Sequence, residues 1–423
     1  DNASAGDTIV VRDGTYVENI DINKPHLTIK SENGSANCVV RAANSNDHVF
    51  YVTADNVTIK GFTVTGATGH YRAIYLYNSK NSRIENVNAS NNGYGISLFS
   101  SSSNIIANNT VSNNVFGIGL EGLKDSSNNI IANNIVSNNL YGIYLYKSSN
   151  NTIANNTFHL NGIFVEFSYN NKVTNNTVNG KLLVYLENVN DYVVEDAGQI
   201  IAINSNNITV ENSNLSRASV GVEFWNTSNS KIINNTVSNN YYGIFFHYSS
   251  SNIIANNTVS NNWWYGICLE YSSNNNTIAN NTASNNEFGI YLDGSINNII
   301  ANNIVSNNGY GIHPWSSSNN IIYLNNFIDN TDQVYSCWST NIWKSTEKIT
   351  YTYNGKQFTN YLGNYWSDYA GNDADGDGIG DTPYSIDGDK DNYPLMERFE
   401  NYFGGVEEEY NPKLSVPDIA PLQ

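Results

Sequence analysis

Asp373, Asp375, Asp377 and Asp381, in the run Asp373-Ala-Asp-Gly-Asp-Gly-Ile-Gly-Asp381, have the residue types and spacing to hold a hard cation. Carboxylates at loop positions 1, 3 and 5 converge, Gly378 permits the tight bend, Ile379 offers its carbonyl, and Asp381 takes the ninth position. The twelfth position holds Tyr384 instead of a glutamate, so one of Asp387, Asp389 or Asp391 is expected to complete the shell. The expected ion is calcium, acting as a structural clip between neighbouring loops.

A second set of chemistry-bearing residues lies in the repeats. Glu270 and Asp293 fall one repeat apart, about 5 Å if their strands are neighbours, and His247 stacks on the same column. Paired carboxylates across a sugar suit glycoside hydrolysis, which makes Glu270, Asp293 and His247 the weak catalytic candidates. Lyase or epimerase chemistry wants clustered carboxylates beside an Arg or Lys base. Arg217 and Lys231 do not align with the acidic column. An exposed polar ladder is the plainer reading of these residues. Tyr146, Trp225 and Trp315, on the same column, are candidates for stacking on sugar rings or on another subunit.

The elements that must position these groups are set by repetition. Ile-Ile-Ala-Asn-Asn-(Thr/Ile)-Val-Ser-Asn-Asn recurs at 105–114, 130–139, 253–262 and 299–308, each followed by an aromatic and Gly-Ile. A unit of 20–25 residues cannot bury its own apolar side, so such units stack into a solenoid. Short alternating runs between Asn/Gly/Ser bends exclude two helices per repeat, and the Leu-x-x-Leu-x-Leu signature is missing. The fold class is therefore all-β, a right-handed parallel β-helix. About fourteen turns at roughly 4.8 Å each give a rod about 65 Å long. In Tyr141–Tyr146, alternation sends Ile143 and Leu145 inward and Tyr144 and Tyr146 outward. One Asn of each pair is expected in an amide ladder along the axis, the other in a left-handed turn. The segment 180–207 breaks the wording and reads as one or two diverged coils. The helix is assigned to 1–328, an irregular cap with the acidic loop to 329–400, and a linker or extended tail to 401–423. The start at Asp1 fits a processed or trimmed precursor, and the first coil has too few residues before it for a capping helix.

Composition narrows the partners. The 423 residues carry a net charge of −18, with 20 Lys and Arg against 38 Asp and Glu, and no basic stripe for nucleic acid is visible. No apolar run approaches the 18–20 residues that span a bilayer, so direct membrane insertion is not expected. Three scattered cysteines, Cys38, Cys268 and Cys337, form no disulfide framework and have no metal-ligand spacing. Asn-x-Ser/Thr sequons, among them Asn56, Asn108, Asn155, Asn175, Asn234, Asn256 and Asn280, are usable for glycosylation in an exported chain.

From Ile9 to Met396 the chain resembles the NosD-like parallel β-helix repeat proteins of archaeal and some bacterial surfaces. The resemblance is strongest in the repeats, in Leu183–Ser216, and in Gly363–Ile386, which joins an aromatic cap to the calcium-like loop. It implies an extracellular or cell-surface protein, often with further domains. The copper delivery in the family's name has no counterpart here: Met396 is the single methionine and six histidines form no motif. The fold also resembles that of pectate lyases and polysaccharide epimerases, which by itself does not establish catalysis. The leading expectation is a noncatalytic surface protein, its rod engaged in self-association or with neighbouring surface domains, in a surface layer or filament. A carbohydrate-binding surface protein is the alternative, followed by a polysaccharide lyase, epimerase or hydrolase.

Overall fold

The computed structural model describes residues 3–123 and 126–403. Each repeat contributes two three-residue strands and one of about six, for example Ile130–Ala132, Ile135–Ser137 and Tyr141–Tyr146. Each strand pairs in parallel with its counterpart one coil away, as in Ile105↔Ile130, Val111↔Val136 and Ile118↔Ile143. The result is a parallel β-solenoid whose lumen is filled by stacked Ile, Val, Leu and Phe.

The paired asparagines turn the corners. In Asn133-Asn134 the first residue has φ +58°, and the second is buried. The buried Asn134 Nδ2 donates to Asn156 Oδ1 at 2.9 Å, and Asn156 Nδ2 donates to Asn176 Oδ1 at 2.9 Å. A longer ladder runs Asn235, Asn257, Asn281, Asn303, Asn325 and Asn364, every rung donating toward the C-terminus. The sequon residues Asn108, Asn155, Asn175, Asn234 and Asn256 are the exposed members of such pairs.

The solenoid is not one continuous rod. The strand Thr177–Val178 pairs antiparallel with Lys181–Glu187, through Thr177↔Leu182 and Val178↔Lys181. Asn179 and Gly180 between them have φ +51° and +85°, the backbone of a two-residue hairpin turn. The hairpin opens the segment expected as diverged coils, which then stacks in parallel, Lys181–Glu187 on Gln199–Ile203 and Asn190–Glu195 on Asn206–Glu211. It divides the molecule into two stacks that share one sixteen-stranded sheet. The six-residue strands of the first stack end at Ile163–Glu166; those of the second start afresh in the shared sheet.

At the far end the cap continues the stacking. Tyr365–Trp366 pairs in parallel with Asn326–Ile328, and Trp366 stacks on Phe327 at 4.6 Å and on Tyr384 at 4.4 Å. The 3-10 helix Phe399–Tyr402 buries Tyr402 in the cap. From residue 404 on, the expected tail lies outside the described residues.

Two amide ladders end on carboxylates of the 387–391 segment. Asn364 N donates to Asp391 Oδ2 at 2.8 Å, and Asn341 N donates to Asp389 Oδ2 at 2.8 Å. Asp391 is wholly buried, which pushes its carboxyl up to about 6 against four hydrogen bonds from Asn364, Tyr393 and Trp366. Because its folded value is raised, its contribution to stability is greatest below the ordinary carboxylate range. That contribution is lost as pH rises through about 6. Asp391→Asn is expected to flatten this part of the thermal-midpoint profile between pH 4 and 7, measured by calorimetry; an unchanged profile would remove Asp391 as its source.

Candidate functional site

Alternation along the six-residue strands places two outward columns on the second stack. One is Glu223, Phe245, Cys268, Tyr291 and His313; the other is Trp225, His247, Glu270, Asp293 and Trp315. The first stack carries Tyr144 beside Phe164, and Tyr146 beside Glu166. These columns do not run into one another. The hairpin turns the second stack so that its outward face meets the end of the first.

The contact is made by polar side chains that take the place of a missing strand. Ile163–Glu166 is the last strand of its sheet, so its outer backbone groups have no neighbour. Ile163 N donates to Gln199 Oε1 at 2.9 Å, Gly162 N to Ser219 Oγ at 3.1 Å, and Val165 N to Glu223 Oε1 at 3.2 Å. Glu223 also accepts from the Trp225 indole at 2.9 Å. Burial still wins over these bonds and raises the Glu223 carboxyl well above its ordinary range. A Cβ on Gly162 would lie 2.1 Å from Gln199 Oε1, so the close approach needs glycine there. Apolar contact completes the joint, with Phe164 against Phe245 at 5.6 Å and Tyr242 at 5.3 Å.

Beside this joint, carboxyls from both stacks gather. Glu166 of the first accepts a short hydrogen bond from Tyr144. Glu270 and Asp293 of the second are register neighbours. Burial, with added repulsion from Asp293 and Glu166, pushes Glu270 up to about 7 against the Cys268 thiol. Burial likewise raises Glu166 and Asp293. His247 is held neutral by burial, its pKa lowered to about 3. Its ring stacks between Trp225 at 4.1 Å and Tyr271 at 5.3 Å. The expected set Glu270, Asp293 and His247 is thus adjacent, with Glu166 arriving from 104 residues away.

The stacking candidates differ in access. Trp225 points outward as alternation requires, but the joint covers it: it is 1% exposed, packed edge-on by Phe167 at 4.9 Å. It has no ring face to offer a sugar. Tyr146 is half-buried between Tyr144 and Phe167, and Lys147 Nζ lies 5.0 Å from its ring. Trp315 is half-buried and meets the exposed Trp338 edge-on at 4.7 Å. Trp338 went unremarked because the sequence leaves the repeat there. Its one signal is the step after Cys337, which bridges Trp315 as the next coil would.

In the acidic loop, Asp373, Asp375 and Asp377 have carboxylate oxygens all within 4.8 Å of one another. Asp373 accepts from the backbone of Gly376, Asp377 and Gly378, which curls the loop around them. Ile379 closes it against Leu395, and Asp381 Oδ2 accepts from Ala374 N at 2.8 Å. Asp387 is elsewhere: its Oδ2 accepts from Ser336 N at 3.2 Å. The reason is that the ladders and the turn before Cys337 end in unpaired N–H groups, and the 387–391 carboxylates satisfy those.

A family model described as periplasmic copper-binding protein (NosD) matches residues 1–193 and again 180–371. A cell surface glycoprotein of Methanothermus fervidus is 38% identical over 86 residues, which span 20% of this chain and only 13% of the glycoprotein. Among solved structures, the A-module of an Azotobacter vinelandii mannuronan C-5 epimerase aligns over 79% of this chain and 88% of its own, at 14% identity and TM-score 0.37. An alginate lyase from Paenibacillus aligns over 58% and 92%, at 21% identity and TM-score 0.37. Copper prefers sulfur and imidazole ligands. Among the described residues, the one convergent metal-ligating group is the all-oxygen aspartate set, while Cys38, Cys268 and Cys337 stand apart and His247 and His313 are packed among aromatic rings. The donor set does not fit copper.

Proposed function

We propose that this chain, which belongs to the NosD family, is a noncatalytic carbohydrate-binding component of the cell surface. Its β-solenoid fold is shared with carbohydrate-active enzymes and with structural surface proteins alike, and its location is extracellular or at the cell surface. The observation that carries the reading is the joint, where half-buried tyrosines and carboxyls from two stacks meet on one face. Rings supply apolar stacking and carboxyls accept from hydroxyls, the two contacts a sugar needs. Binding is favoured over lyase or epimerase chemistry because, among the described residues, no Lys or Arg pairs with Glu166, Glu270 or Asp293.

Calorimetric titration with a panel of oligosaccharides tests this. Saturable binding is expected, with Tyr146→Ala and Trp315→Ala each weakening it about tenfold, from roughly 1.5 kcal/mol per lost ring contact. Thermal midpoints should stay put. Absence of saturable binding across neutral, acidic and amino sugars would sink the reading, and product release abolished by Glu270→Gln would replace it with catalysis. Self-association is the second reading, favoured by Trp263 and Trp338, which are 65% and 77% exposed. Light scattering on the same samples reports it directly.

The aspartate loop is proposed to bind calcium. Ion held by the folded cap alone stabilises it by mass action, about 2.7 kcal/mol at a hundredfold excess over Kd. Chelation is therefore expected to lower the melting midpoint, and Asp375→Asn to abolish the calcium response. A midpoint indifferent to calcium would exclude the site.

A further inference from the structure

We infer that a straight, uncharged polysaccharide lies along one corner of the second stack, held by the indole of Trp263 and a row of side-chain amides. This site is separate from the joint and does not depend on the reading given to it.

In the coils at Asn240, Asn286 and Asn308 the glycine of the Gly-Ile step follows the buried asparagine by three residues; at Asn262 it follows by four. The strands on either side keep their register, Tyr242 on Tyr265 and Tyr265 on Phe288. The extra residue is therefore pushed outward, and Trp263 stands 65% exposed. Tyr241 packs against it from the coil before, ring centres 5.0 Å apart. The coils after it place Glu287 and Gly309 at this corner. A Cβ on Gly309 would lie 3.1 Å from Glu287 Oε1, so that carboxylate leans along the axis, away from the indole. Between them opens a depression of about 450 Å³, bordered by Asn261, Asn285 and Asn307 as well.

These three asparagines are exposed and repeat one backbone conformation, with φ +56°, +55° and +55°. Their amides project alike, one per coil, about 4.8 Å apart. The buried neighbours Asn262 and Asn286 donate along the ladder, whereas among the described residues the side chains of Asn261, Asn285 and Asn307 have no partner. Each free amide offers a donor and an acceptor to adjacent sugar hydroxyls, and an indole face takes the apolar side of a pyranose. A straight axis suits a ribbon-like chain rather than a coiled one. Glu287, the one charged residue on the border, disfavours a uronate. No sequon falls in this row: Trp263, Glu287 and Gly309 stand where Ser or Thr would be needed, unlike Thr258 and Thr282 at the neighbouring corner.

The test titrates the full chain with cellotetraose, maltotetraose and a galacturonate tetrasaccharide, following heat and tryptophan fluorescence. Cellotetraose is expected to bind at least about tenfold more tightly than the other two. Trp263→Ala should weaken it about tenfold. Asn285→Gly keeps the left-handed corner while removing an amide, and should weaken it about threefold. No binding of cellotetraose, a preference for the uronate, or unchanged affinity in Trp263→Ala overturns the site. Loss of binding in Tyr146→Ala with Trp263→Ala intact places the sugar at the joint and overturns the corner alone; loss in Trp263→Ala with Tyr146→Ala intact upholds the corner and counts against the joint. A fall in particle mass in Trp263→Ala, with sugar affinity unchanged, assigns the indole to a second copy of the chain instead.

Discussion

Glu223→Leu is expected to loosen the joint between the two stacks. The wild-type carboxyl accepts from Val165 N at 3.2 and 3.3 Å and from the Trp225 indole at 2.9 Å, all out of reach of water. Leucine fills similar space but leaves an edge N–H and an indole N–H unpaired. Each orphan costs about 1–3 kcal/mol, while the shared sheet, the Glu187 carboxylate accepting from Asn170 and Asn171, and the aromatic patch still tie the stacks. Small-angle scattering should show a larger radius of gyration, and calorimetry should resolve two transitions where the wild type gives one. Glu223→Gln is the control. Burial raises this carboxyl well above its ordinary range, and the amide keeps a carbonyl acceptor in the same place, so its effect is expected to be small. If the leucine variant scatters and melts as the wild type does, the carboxyl is not what joins the stacks.

The second large effect is expected within the amide ladder. Asn281 Oδ1 accepts from both Asn257 N and Asn257 Nδ2 at 3.0 Å. Its own Nδ2 donates to Ile254 O at 2.8 Å, Ala279 O at 3.1 Å and Asn303 Oδ1 at 3.0 Å. Asn281→Ala leaves the buried Asn257 N without its partner and removes the bonds to Ile254 O and Asn303 Oδ1, for an expected loss of about 3–4 kcal/mol. That is a large part of the 5–15 kcal/mol typical of a domain. The neighbouring Asn280 has φ +56° and turns the corner, so Asn280→Ala is expected to cost only the left-handed strain, about 1–2 kcal/mol. Denaturant titration of the two variants separates them. Equal losses would mean the ladder carries no more stability than the turn.

Much of this was legible because repetition averages out local noise. The Gly-Ile step gave the register, the Asn-Asn pair gave one ladder residue and one turn residue, and Asp373, Asp375 and Asp377 converge as alternate loop positions should. The joint was not read, although Asn179-Gly180 between Thr177-Val178 and Lys181-Leu182 is a strong hairpin signal. It sits at the edge of the diverged coils, whose stacking the sequence does show, so the reversal of direction before them went unseen. Without the hairpin, Trp225 continued one outward column and looked exposed, and Glu166 seemed remote from Glu270. Asp387 misled for another reason. A dense run of aspartates after a cation loop looks like more ligand, but the N–H groups it satisfies lie about 50 residues back, at 336 and 341. Local spacing carries no record of such partners.

The ladder that ends on Asp391 has a direction: each rung gives to the next, and the last gives to a carboxylate. Only the final rung differs from the others. A tandem duplication of 22 codons, the interval from Asn281 to Asn303, therefore inserts a finished coil within the second stack, beyond the joint, and leaves both of its ends untouched. Length can drift by slippage of the gene without a compensating mutation, whereas a deletion that takes Asp391 fails at every length. Natural variation in this protein should accordingly be in coil number, with the acidic terminus inherited as a single indivisible block.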